Sequence, residues 1–316
     1  TQQIALALGI VCGLSVRQIA RAFLVSEAAM EQRITRAKAR IADARVPFAT
    51  PGAIERAERL GAVMTMIYLL FNEGYSASRD EAEARATLAE EAIRLMRLLL
   101  KVFPTEPEVM GLAALMLLQQ ARMHARFDAH GNIVLLEDQD RSLWDDKRIA
   151  EGLALIDKAR RHRQPGPYQI QAAVAALHAR ARRAEETDWV EIDLLYASLE
   201  RLQPSPVVTL NRAVAVAKVR GPGAALAMIE PLGERLSNYF YFHGVKGALL
   251  QQLERSEEAR AAFNQAIALA NSPAEAAHIR QHSDHMPGQE RHEQHADEIH
   301  ELDGPLLPIR IKPALH

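Results

Sequence analysis

Residues 213–232 read AVAVAKVRGPGAALAMIEPL, and residues 247–266 read GALLQQLERSEEARAAFNQA. Aligned at an offset of 34, the two stretches keep residue size in step. Ala213, Val216, Ala225, Ile229 and Leu232 recur as Gly247, Leu250, Ala259, Phe263 and Ala266. The small residues at 213/247 and 225/259 let the two helices of each unit approach closely, while Ile229 and Phe263 fill the space between neighbouring units. Turns are expected at Arg220–Gly223 and Glu254–Ser256, where Gly, Pro and Ser interrupt the pattern.

Thirty-four residues is the tetratricopeptide period, and no helix pair of that kind is stable singly, so the pattern predicts a stacked array with one continuous core. Upstream the repeat loosens but apolar spacing still predicts helices over 206–219, 188–202, 167–181, 146–163, 108–126, 81–103 and 53–71. FNEGYSASRD (71–80) is expected as a connector, with Gly74 supplying a positive-φ turn. RFDAHGNIVLLEDQDRSLWD (126–145) is the one clearly non-helical stretch. There His130–Gly131–Asn132 can turn the chain between Arg126–Phe127 and Ile133–Leu136 as a small β-hairpin near 126–136. Composition agrees with an all-α class: 48% hydrophobic, 25% charged and only 5% aromatic, rich in Ala, Leu, Arg and Glu rather than β-formers.

The formal charge of −2 over 316 residues is unevenly spread. Residues 1–46 carry Arg17, Arg21, Arg33, Arg36, Lys38, Arg40 and Arg45 against Glu27, Glu31 and Asp43, a head of +4 on a body of −6. That division suits a head that meets nucleic acid. Within it, Ser15 can cap a helix whose Val16, Ile19, Ala20 and Phe23 share one face. Leu24–Val25 breaks the pattern, and Ser26 caps a second, Arg-rich helix with Glu27 in its first turn. The inward face of that second helix is predicted as Ala29, Met30, the stem of Arg33, Ile34, Ala37 and Ile41. Two short helices across a tight turn make a helix-turn-helix, whose second helix enters the major groove. Glu27, Ala28, Glu31, Gln32 and Thr35 are then candidates for base edges, and Arg36, Lys38 and Arg40 for phosphates; Ser26 and Arg33 complete the DNA-binding candidates.

GLSVRQIARAFLVSEAAMEQRITRAKARI (13–41) resembles region 4 of bacterial extracytoplasmic-function RNA polymerase sigma factors. The resemblance continues through FNEGYSAS (71–78), LLEDQDRSLWD (135–145), GPYQIQAAVAALHA (166–179), TDW (187–189) and PSPVVTLNRAVAVA (204–217), segments similar to the sigma factors that carry a tetratricopeptide-like carboxy-terminal extension. It implies promoter recognition at the −35 element and contact with core RNA polymerase. The 72–75 motif, in this resemblance, is compatible with an interface between extension and head. Nothing resembling region 2 precedes Thr1, so the resemblance implies that the chain by itself does not support initiation. Glu31 departs from the neutral or basic residues common in that part of the reading helix; a carboxylate there repels phosphate and can accept from a cytosine amino group.

The domain plan is a helix-turn-helix at 1–46, a linker and first helix entry at 47–60 held semi-rigid by Pro47 and Pro51, a helical-repeat extension at 61–280, and a His-rich tail at 281–316. Other chemistry is thin. Glu137, Asp138, Asp140, Asp145 and Asp146 surround Trp144, but without a nucleophile or Gly-rich phosphate loop they are read as helix caps and as partners of Arg141, Lys147 and Arg148, so no enzyme and no cofactor are expected. Seven of the twelve His fall at 278–316, with His282/His285 and His292/His295 in HxxH spacing; incidental surface histidines are preferred to a zinc or nickel site there. GPLLPIRIKPALH (304–316) can dock as an extended segment. One cysteine, Cys12, excludes an internal disulfide framework and fits a reducing compartment. No 18-residue apolar run and no basic leader occur, so a cytoplasmic protein off the membrane is expected. The rival to promoter recognition is a repeat scaffold whose array binds a protein or peptide and whose head is only a cap.

Overall fold

The computed structural model describes residues 5, 8, 15–23, 25–43, 53–75, 79–270 and 272–284. Among them are thirteen α-helices and no strand, so the all-α helical-repeat class stands. The described residues divide into two compact units: one contains those up to Gln120 together with Ala150–Ala172, the other Ala121–Ile149 together with those from Ala173 to Asp284.

The first unit begins with α1 (Val16–Phe23) and α2 (Glu27–Asp43). Ser15 and Gln18 form a reciprocal capping box on α1: the Gln18 backbone N–H donates to Ser15 Oγ at 3.3 Å, and the Ser15 N–H donates to Gln18 Oε1 at 2.7 Å. Ser26 Oγ accepts from the Ala29 N–H at 3.3 Å, capping α2. Ile19, Ala20, Phe23, Met30 and Ala37 are buried, as are the helical Ala5 and Leu8. Of the predicted inward face, Met30 and Ala37 are buried, Ala29, Arg33 and Ile34 are half-buried, and the Ile41 side chain lies outside the described residues. Pro47 and Pro51 also lie outside them.

Three long helices follow: α3 (Ala53–Tyr75), α4 (Arg79–Val102) and α5 (Pro107–Gln120). The first corrects an expectation. The connector does not begin at Phe71; the helix runs to Tyr75, and Gly74 is a helical residue rather than a positive-φ turn. Tyr68, Phe71 and Tyr75 recur at i, i+3 and i+7, and only a continuing helix turns all three inward. All three are buried, with Phe71 and Tyr75 stacked at 5.5 Å. The helix expected at 108–126 also ends sooner, at Gln120, followed by a 3₁₀ turn at Met123–Ala125. Every residue of α5 from Val109 to Leu118 is buried, as suits a helix that is apolar all round.

α6 (Asp146–Arg160) and α7 (Pro167–Arg180) come next. A Cβ on Gly152 would lie 2.9 Å from the Leu118 side chain, and one on Gly111 would lie 2.6 Å from the Gln169 backbone, so glycine permits both approaches to α5. Glu108 accepts from the Tyr168 and Gln169 backbone N–H groups at 3.0 and 3.1 Å, capping α7 from α5.

In the second unit, α8 (Trp189–Leu202), α9 (Pro206–Arg220), α10 (Pro222–Ile229), α11 (Phe240–Gln252), α12 (Ser256–Leu269) and α13 (Pro273–Asp284) form the array. The 34-residue pattern becomes the pairs α9/α10 and α11/α12. Of its ten positions nine are buried and Leu232 is half-buried. A Cβ at Gly247 would lie 2.5 Å from the Phe263 ring, which is why the smallest residue stands there. The turns fall where predicted: Gly221 has φ 85° and Glu254 φ 59°. Asp193 and Glu200 of α8 accept from Arg212 of α9, each at 2.7 Å, clamping those two helices.

The non-helical 126–140 segment turns as expected, but only as a single antiparallel bridge, Phe127 with Ile133. Asp128 supplies the reason: its carboxylate accepts from the His130 and Asn132 backbone N–H groups at 2.8 Å and from Asn132 Nδ2 at 2.9 Å, closing the turn locally. Beyond it Leu135 is buried in the core of the array, and Glu137 pairs with Lys218 at 3.1 Å.

Candidate nucleic-acid interface

α2 has two sides because Met30 and Ala37, two turns apart, are both buried and orient the rod. On the other side Ser26, Glu27, Ala28, Glu31, Gln32, Thr35, Arg36, Lys38 and Arg40 are exposed. Arg33 is half-buried, as expected of a side chain whose stem packs and whose head reaches water. Helical spacing sets the candidates in two rows on opposite flanks of the rod: Glu27, Glu31, Thr35 and Lys38 on one, and Arg33, Arg36 and Arg40 on the other, with Ala28 and Gln32 between them. Gln32 Oε1 accepts from Arg36 Nη2 at 3.5 Å, across one turn of the helix.

Two neighbours of this face were not among the candidates read from sequence. Arg17, on α1, lies 3.6 Å from Glu27 with both side chains exposed, which adds a cation beside the start of α2. Gln18, also on α1, donates from Nε2 to Glu73 Oε1 at 3.0 Å. Glu73 stands on α3, 55 residues away, and is only 8% exposed. An S-x-x-Q cap announces a helix start, but no spacing rule pairs its Gln with a distant carboxylate.

The acidic segment around Trp144 is built as structure. Asp140 accepts from the Ser142 hydroxyl and backbone N–H, and those hydrogen bonds hold its pKa below the usual carboxylate range. Asp145 accepts from the Arg148 and Lys147 backbone N–H groups at the start of α6, with the same consequence. Arg141 Nη1 donates to the carbonyls of His178 and Ala181 at 2.6 Å each, closing the end of α7, and its guanidinium lies 4.8 Å from the centre of the buried Trp144 ring. Burial, reinforced by the charges of Arg122 and Arg141, pushes the His178 imidazole down to about 3.

Among the described residues no three His, Cys, Asp or Glu side chains are grouped to hold a metal ion. His278 is buried on α13; the His282 side chain, His285, His292, His295, His300 and His316 lie outside the described residues, as do Cys12 and the 304–316 segment. No described helix is long and apolar enough to cross a membrane.

Fold and site thus define an all-α helical-repeat protein whose α1 and α2 carry exposed basic side chains. Residues 59–160 match the model of a family of unknown function, DUF6596. Over 286 residues the chain is 72% identical to an uncharacterized protein of Rhizobium meliloti (strain 1021), an alignment that covers 90% of the chain and 68% of that relative. At that identity and coverage the chain belongs to the same family as the Rhizobium protein. No solved structure matches it.

Proposed function

We propose that this chain is part of an alternative sigma factor, whose helix-turn-helix recognises the −35 element of promoters and touches core RNA polymerase while the helical extension supports or regulates that activity. One observation carries the reading: α2 buries Met30 and Ala37 and leaves Arg36, Lys38 and Arg40 open to solvent. A buried seam with exposed cations on the helix's open flanks is what a helix needs in order to be held by its own protein and still enter a duplex. Charge supports it, since the excess of Lys and Arg is confined to the head. The resemblance of 13–41 to sigma region 4 supports it too.

The test is binding of the full chain to core RNA polymerase and to promoter fragments at several salt concentrations. Affinity for polymerase is expected, together with DNA affinity that falls steeply with salt. A chain that binds neither, even when joined to a region 2, overturns the reading. The scaffold alternative draws on Val190 and Leu194 of α8, 57% and 63% exposed one turn apart, an apolar strip of the kind a protein partner covers. Under that alternative, removing residues 1–46 leaves capture of the partner intact and no DNA shift is ever seen.

A further inference from the structure

A carboxylate as enclosed as Glu73 is tolerated only where donors replace the water it has lost. One of those donors comes from the head, the Gln18 side-chain amide at 3.0 Å. That amide is committed at both ends. Its oxygen takes the Ser15 N–H at 2.7 Å, so its nitrogen is the end left to face Glu73. A single side chain therefore closes the cap of α1 and ties α1 to α3, against which it lies. From α1 the constraint passes on to α2 through a short turn and through the Arg17–Glu27 pair.

We infer that Glu73 is the docking residue of the helix-turn-helix: by accepting from Gln18 it fixes α1 on the extension and so sets the attitude at which α2 is presented to its target. Glu73 is a positioning residue, since it acts on α2 through Gln18 of α1. The docking follows from the hydrogen bond alone, while its consequence for DNA rests on the function proposed above.

Exchanging the two side chains tests this on the full chain, in Gln18→Glu, Glu73→Gln and the double variant. Gln18→Glu keeps an acceptor for the Ser15 N–H but sets two carboxylates against each other. Glu73→Gln still offers an oxygen to Gln18. In the double variant the bond re-forms with its polarity reversed, the amide at 73 donating to the carboxylate at 18. Hydrogen exchange over residues 16–43 is expected to quicken in Gln18→Glu and to return towards wild type in the double variant. DNA affinity should fall about tenfold in Gln18→Glu and recover to within about threefold in the double variant. The slope of affinity against salt should not change, because no phosphate contact is lost.

Unchanged exchange in Gln18→Glu overturns the inference, as does a double variant no better than that single change or a shallower salt slope. Should Gln18→Glu fail to fold by circular dichroism, the double variant decides: recovery supports docking and continued failure refutes it. If no form of the chain, the wild type included and also when joined to a region 2, binds DNA or core polymerase, the proposed function falls while the exchange measurements still decide the docking.

Discussion

Phe263 on α12 and Met30 on α2 are both almost wholly buried, yet the far sides of their helices differ. On α12 and its approach the charges answer one another: Arg255 with Glu258 at 2.7 Å and Arg260 with Glu257 at 2.8 Å, each three residues apart. That is a solvated helix face, worth little energetically and directed at nothing. On α2 the exposed Arg36 and Lys38 stand on the same rod as Glu27 and Glu31, and Glu27 leans on Arg17 of α1 rather than on a cation of its own helix. Burial of one stripe is common to both helices, so burial alone does not mark a functional helix. The distinguishing feature is whether the charges on the open side cancel within the chain or leave a field for something else to neutralise.

Four substitutions press on that contrast. Phe263→Ala empties the ring that sits against Gly247 and should cost about 3–5 kcal/mol, read as a lower urea midpoint for the second unit. Met30→Ala should cost about 2–3 kcal/mol and act on the head: exchange over α1 and α2 should quicken while α9 to α12 stay protected. If both changes melted the chain as one transition, head and array would be a single cooperative body and the contrast would weaken.

His178 gives a pH signature confined to the second unit. Its folded pKa, about 3, lies below the ordinary 6.5, so between those values the unfolded chain binds the proton and the folded one does not. Stability should therefore decline as pH drops from about 6.5 towards 3 and be untouched above that window. His178→Phe, which keeps a ring against Trp189, should flatten the acid limb in denaturant titrations. Smallest of all in stability is Arg36→Ala, expected within about 0.5 kcal/mol of wild type because the side chain is exposed. Its effect should show in DNA binding, as a weaker affinity with a salt slope reduced by about one.

Much of the fold was legible because helical periodicity is a local property. The 34-residue recurrence, the caps at Ser15 and Ser26 and the turns at Gly221 and Glu254 all sit where the sequence pattern put them. The misread positions were decided by partners far along the chain. FNEGY looked like a turn because of Gly74, yet the aromatics around it bury only if the helix continues to Tyr75. The hairpin at 127–133 shrank to one bridge because Asp128 satisfies the turn's N–H groups by itself. Of the candidate interface, the sequence indicated which residues of α2 look outward, and every one proposed is exposed except the half-buried Arg33.

From sequence alone came the helix class, the repeat period and the concentration of positive charge in the first 46 residues, since each depends on residue type and spacing within a few turns. Tertiary structure alone decided that Gln18 meets Glu73, that Glu108 caps α7 and that Lys218 answers Glu137. Those pairs join residues 55, 60 and 81 positions apart. Such partners are selected by how buried polar groups find replacements for water once the helices have packed, and no local pattern in the chain encodes that choice.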